Sequence, residues 1–268
     1  MELKKYLSST IVPWSDTNWA PWDKEEWPAT LILPNEMVIK FQDLYKLSSN
    51  LKLEMGYSMK FFPENQTFDY GKLLTGSKHM CPLPSIEGDE AFGNVHCHPS
   101  GAAHSAADIA GFRSHMEKAI FVAFVVAAPD RIYAVISRYK KSNFSNVNTN
   151  KMQEETEVKL NSYFEKFCPF GKKQRNEFIY GNSNGEGGLI NLNPNSALRE
   201  KYKNVQLQKG ESIKSHLITH YQELCLKLTP GYVDHDQSVS EMNISSLKKH
   251  GFGVYESDKS NAGKLVCF

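Results

Sequence analysis

From residue 29 onward, apolar and polar positions alternate between a strand rhythm and a helix rhythm. Ala29 to Leu33 is a short apolar run that predicts a strand, and Glu36 to Leu47 carries apolar residues at helical spacing. Leu51 to Phe62 reads as a strand whose charges thin out as it proceeds, and Tyr70 to Leu74 as a second strand. Residues 76 to 90 mix Gly, Pro, Ser and acidic residues and predict a loop. Ala91 to His96 is a short strand. Ser105 to Lys118 reads as a helix with Ile109, Phe112 and Met116 on one face. Ala119 to Ala127 and Arg131 to Ser137 form a hairpin across Ala128-Pro129-Asp130. Strands interleaved with helices in this way predict an α/β domain.

The flanks differ in character. Residues 1 to 28 hold all four tryptophans, Trp14, Trp19, Trp22 and Trp27, among Pro13, Pro21 and Pro28, which forbid a regular helix there. This segment is either a strap burying aromatic area on the core or a partner-binding lip. Residues 141 to 150 are Asn- and Ser-rich and read as a linker. Beyond it, 151 to 168 and 209 to 228 carry helical periodicity around a Gly/Asn-rich stretch at 181 to 196. The pattern divides the chain into a Trp-rich strap (1–28), a catalytic-type α/β domain (29–145) and a mainly helical extension (146–268), which either binds substrate or partner or completes the core.

Composition narrows the partners. With 31 basic against 30 acidic residues the net charge is +1, which leaves no electrostatic footprint for duplex nucleic acid. The longest apolar run, Ala119 to Ala128, is about half the ~20 residues of a spanning helix, so no membrane role is expected. Five scattered cysteines without a Cys-x-x-Cys pair suggest neither a disulfide framework nor a thiolate metal site. No apolar signal region follows the first residues, and the sequons at Asn65, Asn143 and Asn243 carry no weight without secretion. A reduced cytoplasmic setting is the expectation, and a protein delivered into a host cytoplasm as an effector would look the same.

Candidate chemistry is concentrated between residues 95 and 108, in Val-His-Cys-His-Pro-Ser-Gly followed by Ser105-Ala-Ala-Asp108. Side chains alternate along a strand, so His96 and His98 share a face and Cys97 takes the other. Pro99 ends the strand and Gly101 lets the chain turn. Ser105 begins the next helix, which places Asp108 in its first turn, facing the strand end. Two imidazoles and a carboxylate make a three-ligand set, and catalytic zinc uses three protein ligands with one open position. Taken singly, Ser-x-x-Asp is an N-cap and His-x-His an ordinary pair. With 9 His and 12 Pro in the chain, the whole pattern should arise by chance on the order of once in ten thousand such sequences.

His96-x-His98-Pro99 followed by Ser105-x-x-Asp108 resembles the JAMM signature of the MPN-plus metalloproteases, and His98-Pro99-Ser100-Gly101 is similar to prokaryotic members, including RadC-like proteins. The likeness covers about residues 29 to 140, and the stretch from His98 to Asp108 is a residue shorter than the family pattern. The resemblance implies a JAB/MPN fold, with a mixed β-sheet flanked by helices in a cytidine-deaminase-like architecture. It also implies a Zn2+ held by His96, His98 and Asp108. A catalytic glutamate should lie in a strand after the first helix, often two residues before a glycine. Glu54-Met55-Gly56 fits, with Glu64, Glu87 and Glu90 as competitors. Glu54 would be the general base acting on a water acidified by zinc, and Ser105 would help hold the oxyanion. The implied substrate is the C-terminal amide of ubiquitin or a ubiquitin-like protein in a conjugate or precursor, its tail added as a β-strand. The rival reading is a non-catalytic or DNA-associated, RadC-like module of the same fold.

Other signals carry less. His216 and His220 are helix-spaced, but Leu217 stands where a zincin has glutamate. His104 reads as a surface histidine of the turn. Cys97 would lack a free histidine base on its own face. Gly181 to Gly188 lacks the strand–glycine–helix context of a phosphate loop.

Overall fold

The computed structural model describes residues 1–10, 26–77, 81–82, 88, 90–99, 101–115, 118, 120–138, 141–156, 158 and 232–268. Its helices are α1 (Leu3–Thr10), α2 (Asn35–Leu51), α3 (Ala106–Gly111) and α4 (Tyr232–Leu247). A further helical stretch starts at residue 149. The strands are β1 (Thr30–Ile32), β2 (Met55–Phe62), β3 (Thr67–Tyr70), β4 (Leu74–Thr75), β5 (Ala91–Cys97), β6 (Ile120–Ala128), β7 (Arg131–Arg138), β8 (Gly253–Asp258) and β9 (Asn261–Cys267). They form one sheet in the order β1-β9-β8-β7-β6-β5-β2-β3, with β4 also paired to β2. Only β5 and β6 run parallel, so the sheet is mixed.

Alternation along the strands builds two apolar cores. One face carries Val95, Cys97, Val122, Phe124 and Val126 and is covered by α1 and α2 through Leu3, Leu7, Met37, Phe41 and Leu44. The other carries Ala123, Val125, Tyr133 and Val135 and is covered by Ile109 and Phe112, and by Ile244 and Leu247 of α4. Sandwiching the sheet this way removes both faces of β5 and β6 from water, which explains the unbroken apolar run of β6.

Local boundaries depart from the sequence pattern for identifiable reasons. Leu51, expected to open a strand, is the last residue of α2. Lys52 then takes a left-handed conformation (φ 53°), and its N–H meets the Ser48 and Ser49 carbonyls, which ends the helix and delays the strand to Met55. The strand expected at 70–74 is two short strands, both antiparallel to β2. The helix expected over 105–118 is α-helical only to Gly111, then tightens into a 3₁₀ turn over Phe112–His115.

The division of the chain differs more. Residues 253–267 are not part of a helical extension: β8 pairs with β7, and β9 closes on β1. Val254, Tyr255 and Leu265 bury their side chains in the sheet's cores, an alternation too short to stand out in a segment read as helical. Ser257 Oγ accepts from Ile132 N–H and donates to Asp130 O, fastening β8 across the β6–β7 turn. Residues 3–10 form a helix ahead of the first proline, and Trp27 packs against the first core under the Arg138 guanidinium at 4.9 Å. Trp14, Trp19 and Trp22 lie outside the described residues, as do His216, His220 and the 181–196 stretch.

The chain thus forms two compact units, one of Met1–Gln153 with Gln237–Phe268 and another of Glu154–Asp236. The few described residues of the second, 154–156, 158 and 232–236, are helical. Among the described residues no helix is long and apolar enough to cross a membrane.

Deleting residues 251–268 should therefore remove two sheet strands, leave β1 without a partner strand and expose the outer edge of β7, which then pairs with β6 alone. The expected outcome is loss of any cooperative thermal transition by circular dichroism. A sharp transition in the truncated chain would show that the sheet closes without β8 and β9.

Candidate metal centre

The site lies at the carboxyl end of β5. His96 and His98 follow one another on one face, and both are buried. His98 N–H still donates to Val126 O of β6, so the ladder holds the backbone up to the second histidine. The chain then reverses: Gly101 N–H donates to His98 O, and Gly101 adopts φ 83°, a conformation that favours glycine. This turn brings Ala102 and Ala103 back over the strand end. Their carbonyls lie 3.1 and 3.0 Å from His98 Nδ1, which must carry the ring proton to donate to them. His98 Nε2 is thereby left as a bare lone pair pointing into the site.

Asp108 reaches the same point from α3. Ser105 is the N-cap: Asp108 N–H donates to its Oγ, while Ser105 N–H and Oγ–H both donate to Asp108 Oδ2. This capping box fixes the carboxylate through Oδ2, with Oδ1 turned to His96 and Oδ2 also facing His98. His96 Nε2 is 2.9 Å from His98 Nε2 and 3.3 Å from Asp108 Oδ1, and His98 Nε2 is 3.4 Å from Asp108 Oδ2. Donor atoms about 2.0–2.1 Å from a tetrahedral zinc are roughly 3.3 Å from each other. The spacing therefore fits a cation among three donor atoms, and the His96 Nε2–His98 Nε2 approach is met either by such a cation or by a proton shared between the rings.

Glu54 closes the site from β2. It directly precedes the strand, is buried, and has its backbone pinned by Glu54 N–H to Ser77 O and Gly76 N–H to Glu54 O. One carboxylate oxygen of Glu54 and one nitrogen each of His96 and His98 lie within 4.8 Å of one another, a group that could hold a metal ion. Burial pushes the Glu54 carboxyl up to about 7, with Asp108 adding to the rise and the His98 ring and the Cys81 N–H opposing it. For Asp108, burial acts upward as well. The His96 ring outweighs it, aided by His98 and His104, and holds the carboxyl well below the carboxylate range.

Of the competing glutamates, Glu64 is exposed in the turn beyond the far end of β2, and Glu90 stands at the opposite end of β5. Glu87 lies outside the described residues. The structure thus gathers Glu54, His96, His98, Ser105 and Asp108. Cys97 points away into the first core, where burial pushes its thiol strongly upward.

Two features escaped the sequence reading. Gly56 sits opposite His96 in the β2–β5 register, and a Cβ there would lie 2.4 Å from Val95 O and 2.9 Å from His96 Cβ. His104, expected at the surface, is fully buried, and its Nε2 donates to Ala123 O at 3.1 Å. Sequence spacing signalled neither the packing of Gly56 on His96 nor the burial of His104, because each depends on cross-strand or interlayer register.

Comparison with family models, curated proteins and solved structures finds no match. The JAMM-like signature therefore stands on the residues and their geometry alone.

Gly56→Ala should push β2 and β5 apart beside His96. A loss of about 1–3 kcal/mol in denaturant unfolding is expected from overpacking, together with weaker metal retention. Unchanged stability and metal content would show that the close approach is unimportant.

Proposed function

We propose that this protein is a zinc-dependent metallopeptidase of the JAMM type, acting on the C-terminal amide of ubiquitin or a ubiquitin-like protein. The observation that carries this reading is the convergence of His96 Nε2, His98 Nε2 and Asp108 Oδ1, with the Glu54 carboxylate beside them. The element order implied by the resemblance adds support, as a helix, a strand group, the motif strand, the motif helix and a hairpin follow in sequence.

His96, His98 and Asp108 would hold the ion. When bound, zinc supplies a Lewis acid that lowers the pKa of a water from ~15.7 to roughly 7 and polarises the scissile carbonyl. Glu54 is the group that moves the proton. In its ionised form it accepts one from the attacking water, and then delivers it to the leaving amine nitrogen as the C–N bond breaks. Burial keeps Glu54 poised near neutrality, so it is able both to take and to give the proton. Ser105 would steady the oxyanion by turning its hydroxyl hydrogen away from Asp108 Oδ2, which keeps the Ser105 N–H as a donor. Small residues at the end of the substrate tail would fit beside so enclosed a centre.

Purified protein should contain one zinc per chain, and the His96→Ala, His98→Ala double variant should lose it. Glu54→Gln should keep both zinc and fold while hydrolysis of a ubiquitin-type C-terminal amide falls about 10²–10⁴-fold. A fully active Glu54→Gln would remove the base from its role. Absence of cleavage by zinc-loaded wild type across a panel of ubiquitin-like substrates would favour the non-catalytic module.

The pH profile checks the same assignment. Glu54 works ionised, so kcat/KM should fall as the pH drops through its pKa. Burial, with smaller effects of His98, Asp108 and the Cys81 N–H, places that pKa at about 7 against an ordinary 4.5, and a bound cation moves it back down. An acid limb between these two values, missing from the residual rate of Glu54→Gln, is the expected result.

A further inference from the structure

The face of β5 that bears His96 and His98 also bears Asn94, two residues earlier and fully buried. Among the described residues neither Asn94 Oδ1 nor Asn94 Nδ2 has a hydrogen-bond partner, and the same holds for His96 Nδ1 and His104 Nδ1. Unpaired buried polar atoms are rare in folded proteins and costly. Asn94 and His96 are two residues apart on one strand face, and the His104 ring packs beside His96. Asn94 is the cross-strand partner of Ala123, whose carbonyl accepts from His104 Nε2. The His96 and His104 rings lie 6.4 Å apart, centroid to centroid, nearly perpendicular at 80°.

The proton positions are complementary. Donation to Ala123 O places the His104 proton on Nε2, so its Nδ1 is an acceptor. His96 turns Nε2 into the metal centre, so its Nδ1 must be the protonated nitrogen and a donor. The two nitrogens form no direct bond, and a water bonded to both would need ~2.8 Å on each side.

We propose that a buried water links His96 Nδ1 to His104 Nδ1, with the Asn94 amide as its third partner, and that His104 is a positioning residue of the metal centre. The water accepts from His96 Nδ1–H and donates one hydrogen to His104 Nδ1 and the other to Asn94 Oδ1. His98 and Asp108 are already fixed by the Ala102 and Ala103 carbonyls and by Ser105. Among the described residues His96 is the one of the three without an outer partner, and this link supplies it. A histidine ligand so held keeps its tautomer and orientation, and loss of such a partner typically weakens metal binding about 10- to 100-fold. The inference rests on the reading of His96 as a ligand.

The test is Co(II) binding to the full chain, followed by its visible spectrum in competition with a chelator. It compares wild type, His104→Leu and His104→Asn, with His98→Ala as the non-binding control. His104→Leu fills the space of the ring but offers no acceptor. It should hold or raise the melting temperature and bind Co(II) about 10- to 100-fold more weakly. His104→Asn leaves a gap and should melt lower, but it sets Oδ1 near the position of Nδ1 and should bind within a few-fold of wild type. A purely packing role gives the reverse order, with affinity following thermal stability, and that result overturns the proposal. Wild type that folds but binds no Co(II) overturns the metal-centre reading, and this inference with it. If the variants do not fold, long-range ¹H–¹⁵N spectra of the zinc-loaded wild type decide. Protons on His96 Nδ1 and His104 Nε2 are expected, and a proton on His104 Nδ1 overturns the link.

Discussion

β5 is held from both sides at once, antiparallel to β2 and parallel to β6, and its register is the constraint on which the centre depends. A slip of one residue in either ladder would exchange faces, sending Cys97 to the metal side and both histidines into the first core. The register is protected by apolar residues on both faces and by close backbone approaches. A Cβ at Gly93 would lie 2.1 Å from Val122 O, and one at Gly56 would meet Val95 O at 2.4 Å. The ladder against β2 shifts between Met59 and Lys60, where Phe92 turns to the first core. Beyond that irregularity the alternation runs unbroken through Asn94, His96 and His98.

The electrostatics follow from this placement. Two buried imidazoles, the buried Glu54 and the partly buried Asp108 are packed together, so each group's charge state depends on its neighbours. Asp108 is tied to the N-cap donors and flanked by histidines, which suits a permanently ionised ligand. Glu54 has a single backbone donor beside it and more burial than compensation, which suits a group that exchanges a proton. Two carboxylates of one site are thus pushed in opposite directions by their surroundings.

The sequence disclosed what is local. His-x-His, the Ser-x-x-Asp cap and the β6–β7 hairpin each depend on spacing within a few residues, and these are the parts that strand alternation and helix capping describe. Glu54 was legible through the glycine that follows it, although the reason for that glycine, the approach to His96, belongs to the strand pairing. Contacts between distant segments were not legible. Nothing near His104 in the chain shows that Ala123 O lies above it. Nor does the stretch from Gly253 to Cys267 announce that it pairs with β7 and β1, since sequence periodicity names an element without naming its neighbour.

The closure of the sheet by β8 has a consequence for how the protein is made. Arg138 and Gly253 belong to adjacent strands but are separated by over a hundred residues of chain. A ribosome adding about 5–20 residues per second needs roughly ten seconds to cover that distance. Throughout that interval the histidine strand, the cap and the glutamate have all been synthesised, while the outer edge of β7 still lacks its partner. An unpaired edge beside an apolar hairpin is a template for pairing with the wrong chain. The nascent protein therefore has every residue of the candidate metal centre before it has a finished domain, and its supply of folded molecules depends on what guards that edge during translation.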